Sequence, residues 1–402
     1  MRIAMLHPTL TWRGGAERQL LILAKELQQT GHTVEIFTCA INNTCFPELT
    51  RELTIHQIQP PLIQITPPQK RTFSTRLAGR FRGYTVDLPA MAYLGKKIPP
   101  NFDLINNHNS PTQWAAFFAK SKLKIPIVWT CNEPPFWYSN PKQKTGLGNI
   151  NRPLYSGFDK TTVNYIDMIV SNSLAGNYRI QNAYNRTSEV IYPGITTDLL
   201  HAASGQSIRS KYGLENTFIL LQVANIAQDK RQSDSITALH YITQKHINIK
   251  LIIVGHGPKD ELITQSRRLN VEEKVLFLQN CTDEELAEVY AACDVFLFPA
   301  EITWGLAVIE AMAASKPVIV SVKAGVSEII QNGINGFVFN SPNAKNMAQI
   351  VEQLIADPNL CHKIGSNAYQ YTKGKLSWKT YSKHMETIFE KTLLVNNKKS
   401  NH

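Results

Sequence analysis

The segment Pro299–Met312 holds the residues best suited to chemistry, reading Pro-Ala-Glu-Ile-Thr-Trp-Gly-Leu-Ala-Val-Ile-Glu-Ala-Met. An apolar run, Val295–Phe298, leads into it, so the pattern predicts a strand, a loop with one glycine, then a helix. Gly305, Leu306 and Ala307 would present bare backbone N–H groups at the helix start, suited to phosphate oxygens. Glu310 would follow about one turn in, where its carboxylate can accept hydrogen bonds from ribose hydroxyls. A solvated helix glutamate fits Glu310 as well, and core packing fits Trp304.

Other candidates lie at similar junctions. Gln222-Val223-Ala224-Asn225 ends an apolar strand, and Asp229-Lys230-Arg231 precedes a helical pattern. A lysine there can meet a diphosphate as a compact point charge, although most surface lysines are only solvated. Gly14-Gly15 sits between a strand and a helix, where it could admit an anion or form a tight turn. It lacks the full G-x-G-x-x-G pattern. His108 follows the run Leu104–Asn106, a place where a histidine can be structural or functional. Cys131-Asn132-Glu133-Pro134-Pro135-Phe136-Trp137 could stack on a sugar or form a rigid loop.

The elements that must position these residues alternate. Ile3–Leu6 reads as a strand, Ala16–Gln29 as a helix closed by Gly31, and Val34–Cys39 as the next strand. Strands at Leu104–Asn106, Ile127–Thr130, Met168–Ser171 and Val190–Ile191 continue the series. After Pro193-Gly194 a polar stretch runs through Gly205, and the alternation then restarts at Phe218–Val223. This grammar predicts an α/β protein with parallel sheets in two domains, residues 1–195 and 206–377. Tyr381, Met385, Ile388, Phe389 and Leu393 predict one amphipathic helix over 378–395, packing back on the N-terminal domain. In such sheets ligands bind outside the carboxyl ends of the strands.

Bulk properties narrow the field. With 402 residues, 43% hydrophobic and 18% charged, the chain can bury two cores. The net charge of +11 attracts anions without choosing among them. No nucleic-acid module or clustered aromatic-basic face is visible, so nucleic acid is not an expected partner. Six scattered cysteines form no C-x-x-C pair, there is no zinc spacing and no Asp-x-Asp, so no metal site is expected. Reduced thiols and the lack of a signal peptide or membrane-spanning run fit a cytoplasmic protein. Lys70–Lys97 is rich in Arg and Lys with interleaved aromatics; it fits a solvated basic segment or an interfacial helix on an anionic membrane.

Taken in order, these pieces resemble the family 4 group of retaining glycosyltransferases, which have the GT-B fold. The donor segment Phe298–Met312, Gly14-Gly15-Ala16-Glu17-Arg18, Asp103–His108, Pro193-Gly194-Ile195, Lys230, Gly255-His256-Gly257-Pro258, Ala324–Glu328 and Asn335-Gly336 carry the likeness. The resemblance implies two Rossmann-like, doubly wound domains facing across a cleft. It implies a nucleotide-sugar donor, UDP- or GDP-linked, as substrate with no cofactor, and a glycan or lipid-linked acceptor. It puts His108 and Glu301 at the transferred sugar as the catalytic pair. Gly14, Gly15, Asn225, Lys230, Arg231, Gly305, Leu306, Ala307 and Glu310 would bind the donor, with Asn132 and Glu133 on the acceptor side. Two positions depart from the family. Its two glutamates are eight apart, whereas Glu301 lies nine before Glu310. Its arginine five residues before the lysine is Asn225 here, so Arg231 or another cation is expected to compensate. A donor-modifying enzyme, epimerase- or hydrolase-like, or a non-catalytic protein of this fold, is the alternative.

Overall fold

The computed structural model describes residues 1–60, 86–135, 152–302 and 304–400. Most of the basic stretch Lys70–Lys97 and the aromatic pair Phe136-Trp137 therefore lie outside the described residues. The chain divides into two units, Met1–Pro193 with Trp378–His402, and Gly194–Ser377.

The first unit carries seven strands, β1 (Arg2–His7), β2 (Thr33–Thr38), β3 (Thr54–Gln57), β4 (Leu104–His108), β5 (Ile127–Thr130), β6 (Met168–Ser171) and β7 (Glu189–Val190). They pair in parallel in the order β3-β2-β1-β4-β5-β6-β7. β4 and β5 are buried along their whole length, as central parallel strands covered on both faces must be. The helix Gly15–Gln29 buries Leu20, Leu21, Leu23, Ala24 and Leu27 on one stripe and stops before Gly31, whose φ of 90° suits the residue after a helix end.

The terminal helix Trp378–Ser400 completes this unit's core. Tyr381, Met385 and Phe389 share one buried cluster with Leu20, Leu23 and Leu27, and burying Met385 and Phe389 contributes roughly 1.5–3 kcal/mol each. Gln19 Nε2 donates to the Tyr381 hydroxyl at 2.7 Å, and His32 Nε2 meets Glu386 Oε1 at 2.7 Å.

The second unit has six parallel strands, β8 (Phe218–Val223), β9 (Ile249–Val254), β10 (Val275–Leu278), β11 (Val295–Phe298), β12 (Val318–Ser321) and β13 (Phe337–Phe339), ordered β10-β9-β8-β11-β12-β13. The polar stretch after Pro193 is not a bare connection. It forms helix Thr197–Ala202, a second helix, Gln206–Tyr212, follows it, and both belong to this unit. Gly205 precedes the second of them at a point too tight for a side chain, since a Cβ there would lie 2.3 Å from Ala292 Cα. Ile195 N donates to Leu376 O at 2.7 Å, so the two ends of the unit meet.

Each sheet reverses its winding once. The reversal lies between β1 and β4 in the first unit and between β8 and β11 in the second, and the loops leaving those strands are where an open α/β sheet presents a crevice. No helix of the described residues is long and apolar enough to cross a membrane.

Candidate functional site

In the second unit the loop after β8 is moulded by its neighbour. Gly255 and Gly257 have φ of 154° and 138°, and a Cβ would come within 2.0 Å of Ala224 O and 2.5 Å of Ile226 O. Only glycine lets the two loops lie this close, with Ile226 N donating to His256 O at 2.7 Å. The chain then forms a 3₁₀ turn, Gln228–Lys230, and Arg231 takes the left-handed conformation (φ 54°) before the helix Gln232–Thr243. Buried Gln222 pins the turn. Its Nε2 donates to Lys230 O at 2.8 Å while its Oε1 accepts from Ser235 Oγ at 2.7 Å.

Charges gather on this turn. Lys230 Nζ pairs with Asp229 at 2.5 Å and Arg231 Nε with Asp234 at 2.8 Å. Arg231 also reaches Glu301 Oε1 at 3.2 Å, and Lys323 Nζ reaches the same oxygen at 3.1 Å. Backbone bonds lace the three loops together, from Glu301 N to Asp229 O (2.9 Å) and from Gly325 N to Ile302 O (2.8 Å). These loops leave the adjacent strands β8, β11 and β12, so the sheet order brings Lys230, Arg231, Glu301 and Lys323 to one edge. Asn225 is exposed and brings no charge to it.

The helix Leu306–Ala313 starts directly after Gly305. Gly305 is required by close packing, since a Cβ would stand 2.7 Å from Phe298 Cε1. Val308, Ile309 and Met312 bury the helix, while Leu306 and Ala307 stay half-buried at its start, where the first N–H groups have no acceptor within the helix. Glu310 is half-buried, and its Oε2 accepts from the phenol of Tyr290 at 2.8 Å. Trp304 is buried, in keeping with core packing.

In the first unit, β1 and β4 each end in a histidine. His7 Nδ1 donates to Thr9 O at 2.8 Å, which leaves Nε2 to accept from Asn109 Nδ2 at 3.1 Å. His108 Nε2 donates to Asn106 Oδ1 at 2.7 Å, and its Nδ1 has no hydrogen-bond partner. Burial drives both imidazoles toward the neutral form, His7 to about 4 and His108, with His7 beside it, to about 3. His108 is therefore uncharged near neutrality. Asn132 Nδ2 donates to Asn109 Oδ1 (3.0 Å) and Gln19 Oε1 (2.8 Å), so it links the histidine loop to the terminal helix through Gln19 and Tyr381. Glu133 is paired with Arg179. At the glycine loop, Glu17 folds back so that its Oε2 would lie 2.3 Å from a Cβ on Gly14, and burial raises the Glu17 carboxyl above its ordinary value.

Residues 13–199 match the model of Glycosyltransferase Family 4, and residues 205–371 match that of Glycosyl transferases group 1. The chain belongs to this glycosyltransferase family. It is 25% identical to N-acetyl-alpha-D-glucosaminyl L-malate synthase of Bacillus anthracis over 91% of both chains. Over 49% of each chain it is 31% identical to alpha-monoglucosyldiacylglycerol synthase of Acholeplasma laidlawii. Its fold is that of HepE of Anabaena, solved in complex with UDP-glucose, with TM-score 0.77 at 21% identity over 97% of this chain and 100% of that one. The glycosyltransferase thus has two Rossmann-like domains of the GT-B type.

The structure also brings forward residues that spacing alone did not. Tyr290, on the helix Asp283–Ala292, bonds Glu310, and Lys323, on the loop after β12, bonds Glu301. Asp159, on the helix Arg152–Asn164, accepts from Gln113 (2.6 Å), Trp114 (2.8 Å) and Tyr184 (2.7 Å) and so fixes the helix that follows the His108 loop. Among the described residues no group of three or more His, Cys, Asp or Glu is placed to hold a metal ion.

Proposed function

We propose that this glycosyltransferase moves a hexose from a UDP- or GDP-linked donor to a glycan or lipid-linked acceptor, with retention at the anomeric carbon and without a divalent metal. The observation that carries the reading is the convergence of Lys230, Arg231 and the start of helix Leu306–Ala313 at the point where the second sheet reverses. A departing nucleoside diphosphate gains negative charge, and fixed cations with bare N–H groups offset it most where it develops. Those groups supply the charge compensation that a bound metal supplies elsewhere. HepE, which shares the fold, was solved with UDP-glucose, and the relative from Bacillus anthracis is named for an N-acetylglucosaminyl product; both support a nucleotide-sugar donor.

Glu310 takes the ribose hydroxyls in this reading, with Tyr290 holding one oxygen in place. Glu301 and His108 are assigned to the sugar, and Gly14 and Gly15 to the diphosphate. Neutral His108 would act through its bare Nδ1, accepting a hydrogen bond from a sugar hydroxyl. Asn132 and Glu133 are assigned to the acceptor. The relative named alpha-monoglucosyldiacylglycerol synthase supports a lipid-linked acceptor. Incubating the protein with UDP- and GDP-hexoses and a panel of glycan and lipid acceptors tests the reading. A new α-glycoside by NMR is expected; epimerised or hydrolysed donor with no glycoside would replace it with the donor-modifying alternative.

A further inference from the structure

Asn225 is neutral, the loop after β8 supplies Lys230 and Arg231, and a third cation reaches this edge of the sheet from another loop. We infer that Lys323, on the loop after β12, is a diphosphate-binding cation, and that Glu301 is its counter-ion until a diphosphate displaces it. The inference rests on the donor reading above.

The geometry is specific. Lys323 Nζ and Arg231 Nη1 converge on one oxygen of Glu301, at 3.1 and 3.2 Å, from two strands that flank β11. Two cations held about a single anionic oxygen make the arrangement that a phosphate oxygen requires. The Lys323 backbone is fixed, since its N–H donates to Ser321 Oγ at 3.1 Å and Gly325 is tied to Ile302. Its position therefore does not depend on Glu301.

The carboxylate is also exchangeable. The side chains of Lys323 and Glu301 are 46% and 33% exposed, and ion pairs this open to water contribute little. A diphosphate brings more than one negative charge and several acceptor oxygens, so it outcompetes a lone carboxylate for the same cations. Arg231 keeps its second partner, Asp234, which is more enclosed at 15% exposure. Glu301, once released, has its carboxylate beside the leaving group and free for the hydroxyls of the sugar. The one-residue lengthening between Glu301 and Glu310 then has a use, because the extra residue lets the carboxylate reach back to the cations.

Calorimetric titration of UDP, GDP, UMP and GMP into the full chain tests this. For whichever diphosphate binds wild type, Lys323→Met should weaken affinity roughly tenfold or more and leave the monophosphate nearly unchanged. Glu301→Gln should tighten the same diphosphate several-fold while transfer falls. Unchanged diphosphate affinity in Lys323→Met overturns the assignment of Lys323. Weaker binding in Glu301→Gln makes Glu301 a strut for the cations and overturns its role as counter-ion. Wild type that binds neither diphosphate brings down the donor reading as well, an outcome distinct from the other two. Lys323→Gln serves as the second variant if melting shows that the methionine form is not folded.

Discussion

Tyr290 donates a 2.8 Å hydrogen bond from a buried phenol to the carboxylate of Glu310. One carboxylate oxygen of the glutamate is therefore already oriented by the protein. Glu310→Ala would remove this acceptor from the Tyr290 hydroxyl, at a cost of about 0.5–1.5 kcal/mol or more, whereas Glu310→Gln keeps an acceptor for it. Glu310→Gln is expected to reduce transfer about 100-fold with a near-normal melting temperature. Tyr290→Phe is expected to reduce it by less, about tenfold. Steady-state kinetics with melting curves separate the two effects, and near-normal turnover in Glu310→Gln would remove the ribose assignment.

The neutral histidines make the first unit sensitive to acid. Their ordinary value is about 6.5, so between that pH and about 4 the unfolded chain binds more protons than the native one. Their contribution to stability is complete above about pH 6.5 and is lost as pH falls toward about 4 for His7 and about 3 for His108, at up to about 1.4 kcal/mol per pH unit for each group. His7→Gln should shrink the stability difference between about pH 7 and about pH 5.5, measured by denaturant unfolding. An equal difference in both proteins would mean that His7 is not held neutral by the fold.

Much of this architecture is legible in the sequence, for a physical reason. Strands buried on both faces, such as Ile127–Thr130 and Val295–Phe298, are short and largely apolar, and the stripe Tyr381, Met385, Phe389 marks a helix with one buried face. β3 (Thr54–Gln57) escapes such a reading because none of its residues is buried. Contacts made by sheet order rather than by spacing escape it too. Lys323 meets Glu301 across 22 residues and Tyr290 meets Glu310 across 20, and no local period encodes either pair. The polarity of 195–205 resembles a linker because the one short helix there, Thr197–Ala202, has no buried residue. Nor does the sequence reveal that Asn132, a candidate for the acceptor side, is a strut between the His108 loop and the terminal helix.

That strut leads to a prediction about the tail. Tyr381→Phe removes the partner of Gln19 Nε2 and should cost about 1–2 kcal/mol in the first unit. Removing 378–402 would uncover Leu20, Leu23 and Leu27 and is expected to leave the first unit open to proteolysis while the second stays resistant. Limited proteolysis with mass analysis reads this directly.

Charge compensation by side chains predicts that chelation is harmless. Transfer measured in EDTA should match transfer in Mg²⁺ within about twofold. Complete loss in EDTA, restored by Mg²⁺, would put a metal where Lys230 and Arg231 are assigned.

Calorimetric titration of UDP and GDP into wild type and Lys230→Ala tests most directly whether the turn after β8 holds the donor diphosphate. The substitution removes an exposed ion pair with Asp229, so the fold should persist. Affinity for the preferred diphosphate is expected to fall about tenfold or more. Equal affinity in the two proteins would contradict the assignment.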